Sequence, residues 1–127
     1  MRHLVLSDVL ALAPLVLEGG LEVRDWGLVD SALARPAATV FGEDAYPSVF
    51  DKAAALLLSL VTNHPLVDGN KRMGLALTVT FLFLNDLELS YEEDEAYDFV
   101  ISVADGSRRE VADVAAVLER WAQVAGH

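Results

Sequence analysis

Apolar residues recur at helical spacing in six segments of the chain, and strand-like alternation is scarce. Spacings of three and four residues between apolar positions place those side chains on one face of an α-helix. The pattern predicts helices over residues 8–18, 26–34, 47–64, 70–85, 92–104 and 107–125. The predicted fold class is therefore all-α, a single-domain helical bundle of about six helices over residues 1–127.

Residues with strong local preferences mark the ends of these helices. Ser7 and Asp25 are predicted N-caps, because their side-chain oxygens can accept hydrogen bonds from free backbone N–H groups. Gly19-Gly20 is expected to end the first helix. Arg35-Pro36 ends the second, since a residue before proline avoids the α region. Pro47 is expected at the first position of the third helix.

Two short segments have extended rather than helical character. Thr39–Phe41 has the β-branched and aromatic composition of a short strand, and Gly42–Asp44 is predicted to be a turn. Leu87–Ser90, which follows the helix stop at Asn85-Asp86, is a second extended stretch. Both are expected as small additions to the bundle.

Composition limits the function. The 127 residues are 54% hydrophobic, carry a formal net charge of -11 and include no cysteine. Such acidity disfavours direct binding to nucleic acid or to anionic membranes, which repel it. The most apolar run, Met73–Leu84, is shorter than the ~20 residues that span a bilayer, so no membrane role is expected. The lack of cysteine suits the reducing cytoplasm, which is the expected location.

The loop before the fourth helix departs from the usual rules of helix construction. The first turn of a helix carries partial positive charge and favours acidic side chains, yet this helix begins with Lys71 and Arg72. Gly69, just before them, lets a ligand approach the backbone closely. Two cations, free backbone N–H groups and a glycine predict an anion site, and a polyphosphate suits so much positive charge.

Three more residues of this loop supply what transfer from a polyphosphate needs. Asp68 is a natural ligand for the Mg²⁺ that accompanies polyphosphates, and Asn70 is expected to cap the helix and donate its amide to a phosphate oxygen. His64 can accept a hydroxyl proton near neutral pH. Each residue alone has an ordinary structural explanation, but together they indicate phosphoryl or nucleotidyl transfer to a hydroxyl. No Walker motif is present, which excludes a P-loop enzyme.

The segment His64-Pro-Leu-Val-Asp-Gly-Asn-Lys-Arg72 resembles the signature loop of the Fic/Doc family, His-x-Phe-x-Asp/Glu-Gly/Ala-Asn-Gly/Lys-Arg. The Met-Arg-His start, the Gly-Gly after the first helix, the apolar fourth helix and the final helix ending near Trp121 are also similar. The resemblance implies the family's helical bundle, with residues 35–46 as a short flap lining the groove for the target. Leu66, where the family usually has Phe, is expected to pack the loop onto the core.

The resemblance also implies a role for each residue of the loop. His64 corresponds to the catalytic base and Asp68 to the Mg²⁺ ligand. The edge that binds the phosphates of ATP consists of Gly69, Asn70, Lys71 and Arg72. Adenylyl-transferring members carry glycine at the position of Lys71. Lysine is typical of the Doc branch, in which the nucleotide binds in the reverse sense and the γ-phosphate is transferred.

The Doc branch implies two protein partners. Its known target is a threonine of elongation factor Tu, whose phosphorylation stalls translation, and a Phd-type antitoxin covers its site. Many family members inhibit themselves through a Ser/Thr-x-x-x-Glu-Gly/Asn helix. Here Glu18-Gly19 is preceded by Pro14 at the Ser/Thr position, so inhibition in trans is expected.

Three interpretations stand side by side at this level. The first is a toxin kinase, which Lys71 favours. The second is a protein adenylyl transferase that tolerates Lys71. The third is a binding module of the Doc fold with weak or no catalysis that acts through its antitoxin complex at DNA, and Leu66 is the feature that favours it.

Overall fold

A computed structural model describes residues 1–125, and its architecture is all-α, as predicted. Six α-helices account for most of these residues: α1 (Leu6–Val16), α2 (Trp26–Ala34), α3 (Val49–Thr62), α4 (Asn70–Leu84), α5 (Glu93–Ala104) and α6 (Val111–Trp121). Within the described part of the chain, no helix has the length and apolar character needed to cross a membrane.

The central helix of the bundle is α3, against which α2, α4, α5 and α6 all pack. Every residue from Lys52 to Val61 is buried. Gly74 of α4 lies against Val61, and a β-carbon at Gly74 would be 2.7 Å from Val61 Cγ2. Because a larger residue would force α3 and α4 apart, this glycine allows the close packing of the two helices that flank the signature loop.

Four short strands form two separate antiparallel pairs in the described chain. The pairs are β1 (Thr39–Val40) with β2 (Glu43–Asp44), and β3 (Leu87–Leu89) with β4 (Ala122–Val124). In the second pair Leu87 lies opposite Val124. This pairing ties the chain that leaves α4 to the chain that leaves α6, and it confirms the extended stretch predicted after Asn85.

The start of α1 differs from the prediction, and Ser7 is not its N-cap. The helix begins at Leu6, after Val5 in an extended conformation. The Asp8 carboxylate accepts a hydrogen bond from the Val5 N–H at 2.8 Å, so an acid inside the first turn takes part in closing this helix end. The helix also ends at Val16, before the Gly19-Gly20 pair that was predicted to stop it.

The start of α2 confirms the prediction, whereas the start of α3 does not. Asp25 caps α2, and its Oδ1 accepts a hydrogen bond from the Leu28 N–H at 3.1 Å. Pro47 lies outside α3 rather than in its first turn. Ser48 is the N-cap instead, with its Oγ accepting from the Asp51 N–H at 3.0 Å, which is the geometry that a serine cap provides.

The last helix is shorter than the predicted range 107–125. Ser107 belongs to a turn, because its N–H donates to Asp105 Oδ1 at 2.8 Å and the N–H of Arg108 donates to the Ser102 carbonyl at 2.9 Å. At the other end, residues 122–124 leave the helix and pair with β3. Helical periodicity could not reveal this pairing, since the partner strand is more than thirty residues away in the sequence.

The predicted flap is a β-hairpin, but its turn is placed differently. Phe41 and Gly42 form the turn with φ values of 52° and 81°, as a two-residue hairpin turn requires. The predicted turn at Gly42–Asp44 is therefore wrong, because Glu43–Asp44 is strand β2.

Two cations fix the base of this hairpin to α3. Arg35 donates to the Tyr46 hydroxyl at 2.9 Å and to Ser59 Oγ at 2.8 Å. Lys52, which is 4% exposed, forms an ion pair with Asp44 at 3.2 Å and donates to the Tyr46 carbonyl. These contacts hold the buried Lys52 ammonium, so the hairpin has a defined position on the bundle.

Candidate active site

The signature loop begins where α3 ends. Thr62 is the last helical residue, Asn63 is the C-cap, and His64 follows with a φ of 50°. A non-glycine residue in this left-handed region costs roughly 1–2 kcal/mol, so surrounding contacts must hold it there. His64 turns the chain out of α3 and remains exposed.

The connection between α1 and α2 supports the loop through backbone hydrogen bonds. The Val67 N–H donates to the Glu22 carbonyl at 3.0 Å, and the Arg24 N–H donates to the Pro65 carbonyl at 2.8 Å. Val23 and Leu66 lie opposite each other as an isolated antiparallel bridge. Residues 22–25 therefore run alongside residues 65–67 and hold them as a second strand would.

Leu66 anchors the middle of the loop in the core, as expected. Its side chain is 5% exposed and belongs to the main apolar cluster. An apolar cavity of about 10 Å³ lies next to it. Leu66 is thus buried with only a small void beside it.

Asn70 holds the loop closed rather than capping α4. The N-cap is Gly69, and Asn70 is the first helical residue, so the cap prediction for Asn70 is wrong. Its Oδ1 accepts from the Leu66 N–H at 2.9 Å, and its Nδ2 donates to the Leu66 carbonyl at 3.0 Å. A side-chain amide has two N–H donors, so a donation to a phosphate oxygen stays a prediction.

Gly69 is required by two features of its surroundings. Its φ is 82°, in the left-handed region that side chains rarely adopt. A β-carbon at this position would also collide with Cδ2 of Leu17, at the end of α1. The loop backbone therefore passes directly over α1 at the point where α4 begins.

The start of α4 presents free donors and two cations together. The Met73 N–H donates to the Gly69 carbonyl at 2.9 Å, so the N–H groups of the three preceding residues have no acceptor within the helix. Lys71 and Arg72 are exposed at this end. With the partial positive charge of the helix terminus, this is a favourable place for a phosphate group.

All the site residues predicted from the sequence border one groove of about 830 Å³. They are His64, Asp68, Gly69, Asn70, Lys71 and Arg72. A groove of this volume is in the range of small-molecule and cofactor sites. The structure therefore brings the predicted base, the predicted metal ligand and the predicted phosphate edge onto one surface.

A second wall of the groove comes from α5 and from Tyr91, two residues before it, and sequence reasoning missed this wall. Tyr97 is 67% exposed on this wall, and Glu93 and Asp94 lie at its acidic end. The ring of Tyr91 packs 5.1 Å from the ring of Trp121. Burial, reinforced by the Glu93 carboxylate, raises the pKa of Tyr91.

The local sequence gives no distinctive signal for this wall. Tyr91 to Asp98 combines two tyrosines with five acidic residues, but acidic residues are what the first turn of a helix favours. The hairpin at residues 39–44 is not part of the described groove wall. Its expected contact with a target stays a prediction.

The residues present fit Mg²⁺ that arrives with a nucleotide. No cluster of three or more His, Cys, Asp or Glu side chains in residues 1–125 could hold a metal alone. Asp68 supplies a single exposed carboxylate in the groove. Mg²⁺ commonly binds through one or two carboxylates plus substrate phosphates, so Asp68 would hold the ion only together with phosphate oxygens.

Comparison with known proteins agrees with the loop and the fold. The model of the Fic/DOC family matches residues 3–82, which include the whole loop from His64 to Arg72. The chain is also 50% identical over 105 residues to Toxin Doc of Mycolicibacterium smegmatis (strain ATCC 700084 / mc(2)155). That alignment covers 81% of each protein.

Proposed function

Since the chain belongs to the Fic/Doc family, we propose that it is the toxin of a toxin–antitoxin pair and acts as a protein kinase. It transfers the γ-phosphate of ATP to a threonine hydroxyl of its target. The observation that carries this proposal is the shared groove, in which His64 and Asp68 lie beside the cationic start of α4. The relative named Toxin Doc supports the toxin role.

The distribution of charge in the groove favours a nucleotide over a simple anion. Lys71 and Arg72 line one wall, whereas Glu93 and Asp94 line the other. A ligand with an anionic end and an uncharged end rich in hydrogen-bond donors suits such a groove. Its anionic end would face the cationic wall and its donors the acidic wall, so it would bind in one direction only. The triphosphate of ATP would lie at the start of α4, and its nucleoside would lie against Tyr97 of α5, because bases stack well on aromatic rings.

The transfer step assigns one role to each loop residue. The target hydroxyl oxygen attacks the γ-phosphorus while His64 accepts the hydroxyl proton. The bond from the γ-phosphorus to the β–γ bridging oxygen breaks, and ADP leaves with that electron pair. Lys71, Arg72 and the first N–H groups of α4 stabilise the negative charge on the phosphate oxygens. Mg²⁺ bound with ATP would neutralise further phosphate charge beside Asp68.

Lys71 is the residue that favours phosphoryl over adenylyl transfer. Its side chain stands at the groove, at the position where glycine is typical of adenylyl-transferring members. A lysine there occupies space and adds a charge, so the nucleotide must be held differently. Leu66 is only 5% exposed, and this anchoring of the loop supports an active enzyme over an inactive binding module.

Elongation factor Tu is the proposed target, and a Phd-type antitoxin is the proposed partner. Both follow from the likeness to the Doc branch. The net charge of -11 suits a basic antitoxin segment, since opposite charges speed and orient association.

Lys71→Gly tests the assignment to the kinase branch. Transfer from γ-labelled and α-labelled ATP is measured for the wild type and this variant, with Lys71→Ala separating loss of charge from gain of space. Weaker γ-transfer in both variants supports the kinase. Unchanged γ-transfer removes the argument from Lys71, and Mg·ATP that does not raise the thermal stability of the wild type overturns ATP binding itself.

A further inference from the structure

The side chain of Arg24, on the α1–α2 connection, reaches the end of the central helix. Its Nε donates to the carbonyl of His64 at 2.8 Å, and its Nη2 donates to the carbonyl of Asn63 at 2.9 Å. The planar guanidinium group thus makes two hydrogen bonds to consecutive peptide groups. This fork geometry is available to arginine and not to lysine.

Arg24 supplies a charge that α3 does not carry itself. The last turn of α3 contains no basic residue, although the free carbonyl groups at a helix end favour a cation. Arg24 comes instead from a segment forty residues earlier in the chain. The end of the helix that precedes His64 is therefore completed by another part of the fold.

The position of Arg24 is itself fixed on both sides. Its own N–H donates to the Pro65 carbonyl at 2.8 Å, and the neighbouring Asp25 N–H donates to the same carbonyl at 3.1 Å. Asp25 is also the N-cap of α2. The start of α2 and the hydrogen bonds to the Pro65 carbonyl therefore fix the backbone that carries the Arg24 guanidinium group beside the loop.

His64 needs such support because its backbone is in the left-handed region, with φ of 50°. Its carbonyl is held by the Arg24 side chain, and the carbonyl of the next residue is held by the Arg24 backbone. Rotation of the His64 backbone would break the first of these bonds. The direction in which the imidazole enters the groove depends on that backbone conformation.

We infer that Arg24 is a positioning residue that fixes the backbone of His64 and so aims its imidazole into the groove. The inference rests on the proposed function for the role of His64. It assigns Arg24 no contact with the nucleotide. Sequence reasoning missed Arg24 because nothing in its local pattern relates it to residues 63 and 64.

Three variants separate positioning from general stability. Arg24→Met keeps the apolar stem and removes every donor, and Arg24→Lys keeps the charge with one donor group. Arg109→Met is the matched control, since Arg109 is exposed and makes no side-chain hydrogen bond within the described residues. For each protein, kcat and the KM for ATP are measured in phosphoryl transfer to the protein target.

The expected result is a fall in kcat of about tenfold or more for Arg24→Met, because small misplacements of a reacting group are costly. In Arg24→Met the KM for ATP should stay within about twofold of the wild-type value. Arg24→Lys should have a kcat between those of Arg24→Met and the wild type, because lysine keeps the charge but cannot make the bidentate hydrogen bonds. Arg109→Met should match the wild type. Equal kcat in Arg24→Met and Arg109→Met would overturn the inference, and so would a rise in KM alone.

An NMR measurement decides the same point without catalysis. A residue with positive φ gives a strong NMR contact between its own HN and Hα, and the wild type should show this contact at His64. The signal of His64 is identified by its loss in His64→Ala. Arg24→Met should weaken that contact, and Arg109→Met should keep it. If the HN–Hα contact keeps its wild-type strength in Arg24→Met, the inference is overturned. If the wild type shows no phosphoryl transfer, the proposed function is overturned, and the NMR comparison alone then decides the role of Arg24.

Discussion

The side-chain amide of Asn70 is bonded to both backbone polar groups of Leu66. It accepts from the Leu66 N–H at 2.9 Å and donates to the Leu66 carbonyl at 3.0 Å. The two bonds close a ring across the loop, so residues 66–70 form one rigid turn. Because Leu66 is buried in the core, the ring connects the phosphate edge to the interior of the bundle.

Replacing Asn70 should therefore damage both the loop and the stability. Asn70→Ala leaves the buried polar groups of Leu66 without partners, which costs about 1–3 kcal/mol. Asn70→Asp keeps the acceptor but sets a carboxylate oxygen against the Leu66 carbonyl, so it should not restore the loop. Urea unfolding and the rate of phosphoryl transfer are the measurements. Wild-type stability and rate in Asn70→Ala would show that the ring is dispensable.

Leu66 permits a second test, in which side-chain size is varied in both directions. Leu66→Ala should lower the free energy of unfolding by about 2–5 kcal/mol, as expected for truncating a buried leucine. Leu66→Phe restores the family residue beside a cavity of about 10 Å³, so any overpacking should cost no more than about 1–3 kcal/mol. Its activity should equal or exceed that of the wild type. A severe loss of folding in Leu66→Phe would contradict this packing.

The sequence predicted the fold class and the candidate groove better than it predicted local detail. Helical periodicity located all six helices, and the unusual Lys71-Arg72 start of α4 indicated residues that border one groove. Helix starts were predicted less well. Ser48 caps α3 with the side chain that such a cap prefers, and the prediction overlooked it in favour of Pro47. At α1 the N-cap is Val5 and not Ser7, and no local preference for a cap marks Val5.

Contacts between distant segments could not be predicted from local patterns. The strand at residues 122–124 exists because it pairs with residues 87–89, and Arg24 reaches Asn63 and His64 across the fold. The α5 wall joins the groove only because the bundle places it beside α4. These features depend on the tertiary arrangement, which periodicity and propensity do not specify.

The proposed contact between Tyr97 on the α5 wall and the nucleoside of ATP can be tested by mutation. Tyr97→Ala should weaken ATP binding by roughly 5–150-fold, since stacking of a base on an aromatic ring is worth about 1–3 kcal/mol. Binding of inorganic tripolyphosphate should not change, because the proposal places the phosphates at Lys71 on α4 and only the nucleoside at Tyr97 on α5. Tyr97→Phe, which keeps the ring, is the control. Calorimetric titration with both ligands distinguishes a lost nucleoside contact from a damaged phosphate site, and equal ATP affinity in Tyr97→Ala would exclude the contact.

His3 should make stability depend on pH on the acid side. Burial, the Lys52 ammonium and the N-terminal ammonium lower the pKa of His3, and the Asp44 carboxylate opposes them only in part. Its Nδ1 is buried without a hydrogen-bond partner in the described chain. Below the ordinary histidine pKa near 6.5, the unfolded chain binds a proton that the folded chain resists, so stability falls as the pH falls.

This dependence can be measured by urea unfolding between pH 7.5 and about pH 5. His3→Gln removes the titrating group and keeps a polar side chain of similar length. The wild type should lose more stability than His3→Gln over this interval, while both share the effect of the carboxylates. If the free energy of unfolding depends on pH with the same slope in both proteins, His3 is not the source of the pH dependence.

The central claim is that His64 catalyses transfer of the γ-phosphate to a protein hydroxyl. The direct measurement is transfer of label from γ-labelled ATP and, separately, from α-labelled ATP to purified elongation factor Tu, with the wild type and with His64→Ala. Label from γ-labelled ATP alone, lost in the folded His64→Ala variant, is the predicted result. Label from α-labelled ATP, or equal γ-transfer by the variant, would contradict the account.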